Sequence, residues 1–515
     1  MGLTSALARA AQVRGSHTAL VYGDRRLTWS ELEKRVPRIA GGLTRLGLIP
    51  GERVAVLSLN NDLYAELFLA VPYAGGVIVP LNTRWSEVEL VKVIDDCEPR
   101  ILAVDDACLA IGQALARHRP SLTLLFIGHR APGHIQNYGA LVECPPIADH
   151  GVTGDDLYAI FYTGGTTGRS KGVMLSHRNV LRGAAIAHSE GYYGEEAIYL
   201  VAAPFFHASG SWPLVAVTAS AATVVILPSF SAEGALAAIE KHRVTESLFV
   251  PTMLQMLIEH PKFKSTDLSS FQTIVYGGSP ITSALLDRAV SALPNTQFIQ
   301  AYGMTELAQC AALHHKYLNG EYRTRGTHRA AGRTCYGLEI RIVDEHDNVV
   351  PAGQVGEICV RGETVMLGYW RRPEETQAAI RDGWMHTGDG GRFDEDGFLH
   401  VVDRVKDMII TGGENVFSLE VEDALAQHPA VRECIVIGIP SGKWVEQVHA
   451  IVILHHGART TEESLIAHAR SLLAGYKIPR SVEFRTDDFP KSSANKILKG
   501  QIREAYWAGR PSRIS

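Results

Sequence analysis

The stretch Tyr162-Thr163-Gly164-Gly165-Thr166-Thr167-Gly168-Arg169-Ser170-Lys171-Gly172 concentrates glycines, threonine hydroxyls and a lysine. Glycine tolerates φ > 0 and lets backbone N–H groups approach an anion with no Cβ in the way. The threonines add hydroxyl donors, and Lys171 adds a mobile positive charge. The apolar run before it, Leu157-Tyr158-Ala159-Ile160-Phe161, predicts a buried strand of a parallel sheet. A strand entering such a loop is suited to cradle phosphate, although most isolated Gly-rich strings are solvated turns. Spacing excludes two large classes of cradle. The Walker pattern needs glycine directly before its lysine, where Ser170 stands. The dinucleotide pattern needs glycines at the first, third and sixth places, and neither Gly164 nor Gly165 starts such a series.

Tyr302-Gly303-Met304-Thr305-Glu306, taken alone, reads as a turn after an apolar strand. Beside a phosphate loop its chemistry sharpens. Glu306 offers a hard oxygen ligand for Mg²⁺, Thr305 a hydroxyl for an α-phosphate, and Tyr302 a ring to stack on adenine. The two strings together resemble motifs of the adenylate-forming superfamily, which comprises acyl-CoA synthetases, luciferases and peptide-synthetase adenylation domains. The glycine loop is similar to that family's Ser/Thr-Gly-Gly-Thr-Thr-Gly-x-Pro-Lys-Gly pattern, with Ser170 replacing the usual proline and no donor removed. Tyr302 to Glu306 matches the family's Tyr-Gly-Met-Thr-Glu string completely.

Further matches follow in the family's chain order. Pro204-Phe205-Phe206-His207 resembles its aromatic motif, in which His207 would shield or orient the acyl group; a satisfied core histidine is an equal reading. Gly277-Gly278-Ser279-Pro280 resembles the strand end whose backbone meets adenine. Thr387-Gly388-Asp389 resembles the motif whose aspartate takes the ribose hydroxyls, and a carboxylate can accept from two vicinal hydroxyls. In Asp403-Arg404-Val405-Lys406-Asp407, Arg404 falls on the second ribose ligand and Lys406 on the hinge. Gly412-Gly413-Glu414-Asn415 resembles a loop that meets coenzyme A. Pro490 to Lys499 resembles the terminal motif and puts Lys496 on the adenylation lysine, with Asn495 replacing the common glycine. A mobile cation suits the charge that develops between carboxylate and α-phosphate.

The resemblance spans nearly the whole chain and implies an α/β fold. Its large N-terminal domain, residues 1–402, would hold two doubly wound α/β subdomains and a β-barrel. A hinge at 403–406 and a small mobile α+β domain at 407–515 would follow. It also implies ATP-dependent acyl-CoA synthesis: a carboxylic acid attacks MgATP to give acyl-AMP and pyrophosphate, and the CoA thiol then displaces AMP. Thr163 to Gly168 and Lys171 would hold the phosphates, Gly303 and Met304 would line the nucleotide, and Lys496, Thr305, Glu306 and His207 would serve catalysis. Transfer to a carrier protein, or a catalytically inactive nucleotide-binding regulator, stand as alternatives. The presumed acyl walls, Phe206 to Trp212 and Gly277 to Met304, carry little positive charge to pair with a second carboxylate. An apolar monocarboxylic acid, fatty or aromatic/alicyclic, is therefore expected.

The elements that must position these residues are legible in outline. Between Arg53 and Leu125, and again from 198 to 301, apolar runs alternate with helical patterns, as in βαβ units. Strands are predicted at 198–202, 222–227, 246–250, 272–277 and 296–301. From about Gly337 to His400 short strands and turns suggest a barrel or meander. The 515 residues exceed one core, and 46% hydrophobic with 20% charged residues is ordinary for a globular chain. A formal charge of −5 gives no basic field for nucleic acid. Seven scattered cysteines without Cys-x-x-Cys suggest neither disulfides nor zinc, and His314-His315 and His455-His456 lack ligand spacing. No signal peptide is recognisable, and prolines interrupt the uncharged segment from Val201 to Ala232. A cytoplasmic enzyme without an integral membrane segment is expected, and a homodimer is left open.

Overall fold

The computed structural model describes residues 2–128, 133, 135–163, 170–279, 281–314, 330–404, 408–411, 414–441, 444–491 and 497–508. Among them, four sheets carry the architecture. One mixed sheet has strands Leu157–Thr163, Val77–Pro80, Arg53–Leu57, Ile101–Val104 and Thr123–Phe126 at its centre. A second is built on parallel strands Thr18–Tyr22, Thr223–Ile226, Ile198–Val201, Glu246–Phe249, Thr273–Gly277 and Gln297–Met304. The β-branched and aliphatic residues of these strands, buried along most of Arg53–Leu57, Val77–Pro80, Ile101–Val104, Ile198–Val201 and Thr273–Gly277, are what a sheet covered on both faces requires. The helices between them begin on ordinary start signals: Ser86 caps Glu87–Cys97 with a full capping box, and Pro251 opens Pro251–Glu259.

Where the sequence predicts a barrel or meander, an antiparallel sheet pairs Glu339–Val343, Gly356–Arg361, Trp384–Phe393, Ile380–Arg381 and Leu399–Arg404. Past it, Ile409–Thr411, Glu414–Val416, Val431–Ser441, Val445–Leu454 and Ser481–Arg485 form the C-terminal sheet. Its apolar residues, from Ile409 to Ile502, pack among themselves in two clusters. No helix of the described residues is long and apolar enough to cross a membrane. The uncharged segment is instead the helix Ala208–Ser220, with Pro213 inside it, followed by the strand Thr223–Ile226.

Two local differences from the sequence reading matter for the site. The strand before the glycine loop pairs parallel with Val77–Pro80, but antiparallel with Lys171–Ser176 on its other side. The two strands that flank the loop therefore form a hairpin, with Lys171 opposite Thr163. The strand predicted at 296–301 continues to Met304, because Gln309–His314 returns antiparallel and takes up its hydrogen bonds. The register slips between Tyr302 and Gly303. Such an irregularity bends a strand and re-aims its side chains.

Candidate active site

The C-terminal ends of these strands face a cleft of about 2170 Å³ that the C-terminal lobe also lines. Ligands of open α/β sheets bind at such ends. Thr163 and Lys171 reach the cleft from the hairpin, and Phe206 and His207 from the start of the uncharged helix. Gly277, Gly278 and Ser279 line it after their strand. Tyr302, Gly303 and Met304 line it from the end of the strand Gln297–Met304, Thr305 and Glu306 from the turn that follows, and Asp389 faces them from the antiparallel sheet. Gly164, Gly165, Thr166, Thr167, Gly168, Lys406, Gly412, Gly413 and Lys496 lie outside the described residues. Glu414 is exposed on the strand Glu414–Val416 and is not brought to the cleft.

Glu306 is 7% exposed, on the 3₁₀ turn Thr305–Leu307. The Tyr369 hydroxyl donates to its Oε1 at 3.0 Å. Burial, and then the Glu306 carboxylate, raise the Tyr369 hydroxyl well above its ordinary range, so it stays a donor. A buried carboxylate beside the Thr305 hydroxyl is a hard-oxygen set, and these residues fit Mg²⁺.

Tyr302 and Asp389, 87 residues apart, meet directly: the phenol donates to Asp389 Oδ2 at 2.9 Å. The backbone register places Arg404 opposite Asp389 on the neighbouring strand. Gly388 holds φ +71°, a conformation that favours glycine. Its N–H donates to Glu357 Oε1 at 2.9 Å, and the Asp389 N–H donates to Thr387 Oγ1 at 3.1 Å. Glu357, Cys359 and His386 are close enough together to suggest a metal site. Arg381 already supplies the cation there, donating to His386 Nδ1 at 2.5 Å and standing 3.7 Å from Glu357. Burial pushes the Cys359 thiol up to about 12, so it is no thiolate. The cluster supports the Asp389 turn.

His207 is the N-cap of the helix Ala208–Ser220, and the Ser209 N–H donates to its Nδ1 at 3.2 Å. A backbone amide can only donate, so Nδ1 accepts and the proton belongs on Nε2. Gly277 is fixed by close approach, since a Cβ there would lie 2.2 Å from the Ala301 carbonyl oxygen. Lys171, the expected phosphate ligand, forms an ion pair with Glu375 at 2.6 Å and lies 4.9 Å over the Tyr369 ring. Tyr369, Glu375 and Glu357 escape the sequence reading. The aromatic pair Tyr369-Trp370 is the one local signal that could have drawn attention to the first of them.

The AMP-binding enzyme family matches residues 7–370, and the AMP-binding enzyme C-terminal domain matches residues 420–496. A feruloyl-CoA synthase of Amycolatopsis sp. is 38% identical over 98% of this chain and 99% of its own. A fatty acid–[acyl-carrier-protein] ligase, ScoC of Streptomyces coeruleorubidus, is 32% identical over 98% and 96%. Among solved structures, the anthranilate CoA ligase AuaEII in complex with anthranoyl-AMP superposes with a TM-score of 0.90. It shares 26% identity, over 98% of this chain and 97% of that one.

Proposed function

This chain belongs to the AMP-binding enzyme family and is an AMP-forming carboxylate–CoA ligase, and from that premise we propose that its acid is an apolar monocarboxylate, an aryl acid before a fatty one. The carrying observation is the apolar share of the cleft lining, in which Phe206, Trp212, Leu248, Val250 and Val275 line the same cleft as His207. Arg288 also lines the cleft, but its guanidinium donates to Glu259 Oε1 at 2.8 Å. A second carboxylate would enter this apolar lining without a dedicated counter-charge, at considerable desolvation cost. The feruloyl-CoA synthase and the anthranilate CoA ligase, similar along their whole lengths, support an aromatic acid.

In this reading Asp389 and Tyr302, tied together, hold the nucleoside, and Arg404 joins Asp389 on the ribose. The hairpin, Thr163 to Gly168 with Lys171, holds the phosphates. Glu306 and Thr305 would hold Mg²⁺, which when bound neutralises phosphate charge. His207, protonated on Nε2, donates to an oxygen of the acid. The carboxylate oxygen attacks the α-phosphorus and pyrophosphate leaves; the thiol of coenzyme A then attacks the acyl carbon and AMP leaves. Lys496 meets the charge of the first step. Residues 1–402 form the adenylation domain, 403–406 the hinge with Lys406, and 407–515 the mobile domain, whose Gly412, Gly413 and Glu414 meet coenzyme A after rotation. Separate packing of the residues from Ile409 onward supports that division.

The test is CoA-dependent AMP release over a panel from acetate to palmitate, with benzoates, cinnamates, cyclohexane carboxylates and malonate. Aryl acids should lead, and Lys496→Ala should abolish turnover. Preference for malonate would overturn the assignment of the acid. Release of AMP without thioester would favour the acyl-carrier acceptor that the resemblance to ScoC raises.

A further inference from the structure

We propose that Tyr369 is a positioning residue that couples the metal-facing carboxylate to the phosphate hairpin, an inference resting on the roles given above to Glu306 and Lys171. Its hydroxyl donates to Glu306 Oε1 at 3.0 Å, inside the protein. The face of the same ring lies 4.9 Å from the Lys171 ammonium. One side chain thus touches both groups whose charges must meet the triphosphate. A cation over an aromatic face is held by the ring quadrupole, while the phenolic proton selects which carboxylate oxygen is engaged.

The backbone around Tyr369 fastens both contacts. Residues 366–370 run as a strap between the Glu306 turn and the hairpin. Met366 N–H donates to the Glu306 carbonyl at 2.8 Å, and Leu367 N–H to the Met174 carbonyl at 2.9 Å. Gly368 and Tyr369 pair antiparallel with Met174 and Val173. Trp370 N–H donates to the Gly172 carbonyl at 2.7 Å, adjacent to Lys171. The Tyr369 amide itself donates to Thr376 Oγ1 at 2.8 Å. With both backbone and hydroxyl tied, the Glu306 rotamer is set before any ligand arrives, so its ordering is not charged against binding.

Two substitutions separate the two contacts. Tyr369→Phe removes the hydroxyl and keeps the ring; Tyr369→Leu removes both. Calorimetric binding of a non-hydrolysable ATP analogue is measured with EDTA and with Mn²⁺. For Tyr369→Phe the gain in analogue affinity that Mn²⁺ confers should fall about tenfold or more, the worth of one hydrogen bond to a charged group. Its binding in EDTA should stay within about twofold. Tyr369→Leu should weaken binding in EDTA as well, by roughly threefold, through loss of the contact with Lys171. In a Glu306→Gln background Tyr369→Phe should have no further effect on the Mn²⁺ response, as expected of two groups acting through one contact.

An unchanged Mn²⁺ response in Tyr369→Phe overturns the proposal. So do equal losses with and without metal, or additive losses in the double variant, since each marks a merely structural role. Tyr369→Phe carries the test by itself if the leucine variant does not fold. Absence of any Mn²⁺-dependent gain in the unaltered protein would instead sink the reading of Glu306, and this proposal with it.

Discussion

Glu66, on the helix Asp62–Tyr73, and Glu306, after the strand Gln297–Met304, are glutamates withdrawn from water, at 0% and 7% exposure. Their surroundings differ. Arg35 grips Glu66 bidentately, with N–H donors at 2.9 to 3.2 Å, and Arg25 adds another at 3.2 Å. The Tyr138 hydroxyl completes the set at 2.9 Å. Glu306 receives a tyrosine hydroxyl too, but it opens on the cleft. A buried carboxylate sealed among guanidinium groups stabilises the fold once all its partners are present. One that lines a cavity presents its carboxylate to whatever the cavity holds. Burial alone does not distinguish structure from chemistry; the direction in which the charge is satisfied does.

Exchanging each carboxylate for its amide separates the two cases. Glu306→Gln keeps an oxygen for Tyr369 and loses the charge, so turnover should fall about 10²-fold or more, the usual effect of one preorganised electrostatic group. The urea midpoint should barely move. Glu66→Gln should do the reverse, because it takes the counter-charge from the half-buried Arg35, while Arg25 keeps Asp62 at 3.0 Å. Leaving a half-buried guanidinium short of its partner costs about 1–3 kcal/mol. The folded fraction should turn over normally, while the midpoint drops. Turnover and midpoint falling together in both variants would erase the contrast.

A buried base extends the comparison to pH. His177 starts the helix that follows the Lys171–Ser176 strand, and its Nδ1 accepts the Leu3 N–H at 3.3 Å. Burial lowers it to about 4, against the opposing pull of Asp156 and Asp149. The unfolded chain then binds a proton that the folded chain refuses. Stability from this residue is therefore complete above about pH 6.5 and lost progressively as pH falls toward 4. The loss amounts to about 3 kcal/mol for a shift of this size. Urea midpoints at pH 7 and 4.5 should diverge, and His177→Gln should flatten the difference; an undiminished slope in that variant would assign the acid sensitivity elsewhere.

What could be read from the chain was whatever lies contiguous along it. Tyr302 to Glu306 and Thr163 to Lys171 carry their chemistry within single strings, each at the end of a predicted apolar strand. The antiparallel return of Lys171–Ser176 was not visible, since a glycine loop can precede a strand or a helix equally well. Tyr369 and Glu357 were missed because their partners lie 63 and 31 residues away, brought near by strand register. Periodicity reports which face of an element is apolar; it does not report which elements become neighbours. Tyr302 was singled out for its ring, whereas its hydroxyl holds Asp389.

Glu375 provides the smallest effect and the finest test of the same contrast. Its Oε2 lies 2.6 Å from the Lys171 ammonium, the cation that the triphosphate is expected to claim. Both side chains are partly exposed, at 26% and 41%, so water already screens the pair. Exposed pairs of this kind are worth about 0–1 kcal/mol. ATP must displace Glu375 to use Lys171, and that displacement can lower affinity by no more than about fivefold. Glu375→Gln should therefore tighten ATP binding by roughly two- to fivefold in calorimetry, with the acid's KM unchanged. Weaker binding in the variant would mean that Glu375 holds Lys171 in place for the nucleotide, as Tyr369 does for Glu306. Glu375 and Tyr369 would then share one role, and the ion pair would be part of the preformed site rather than a competitor for its lysine.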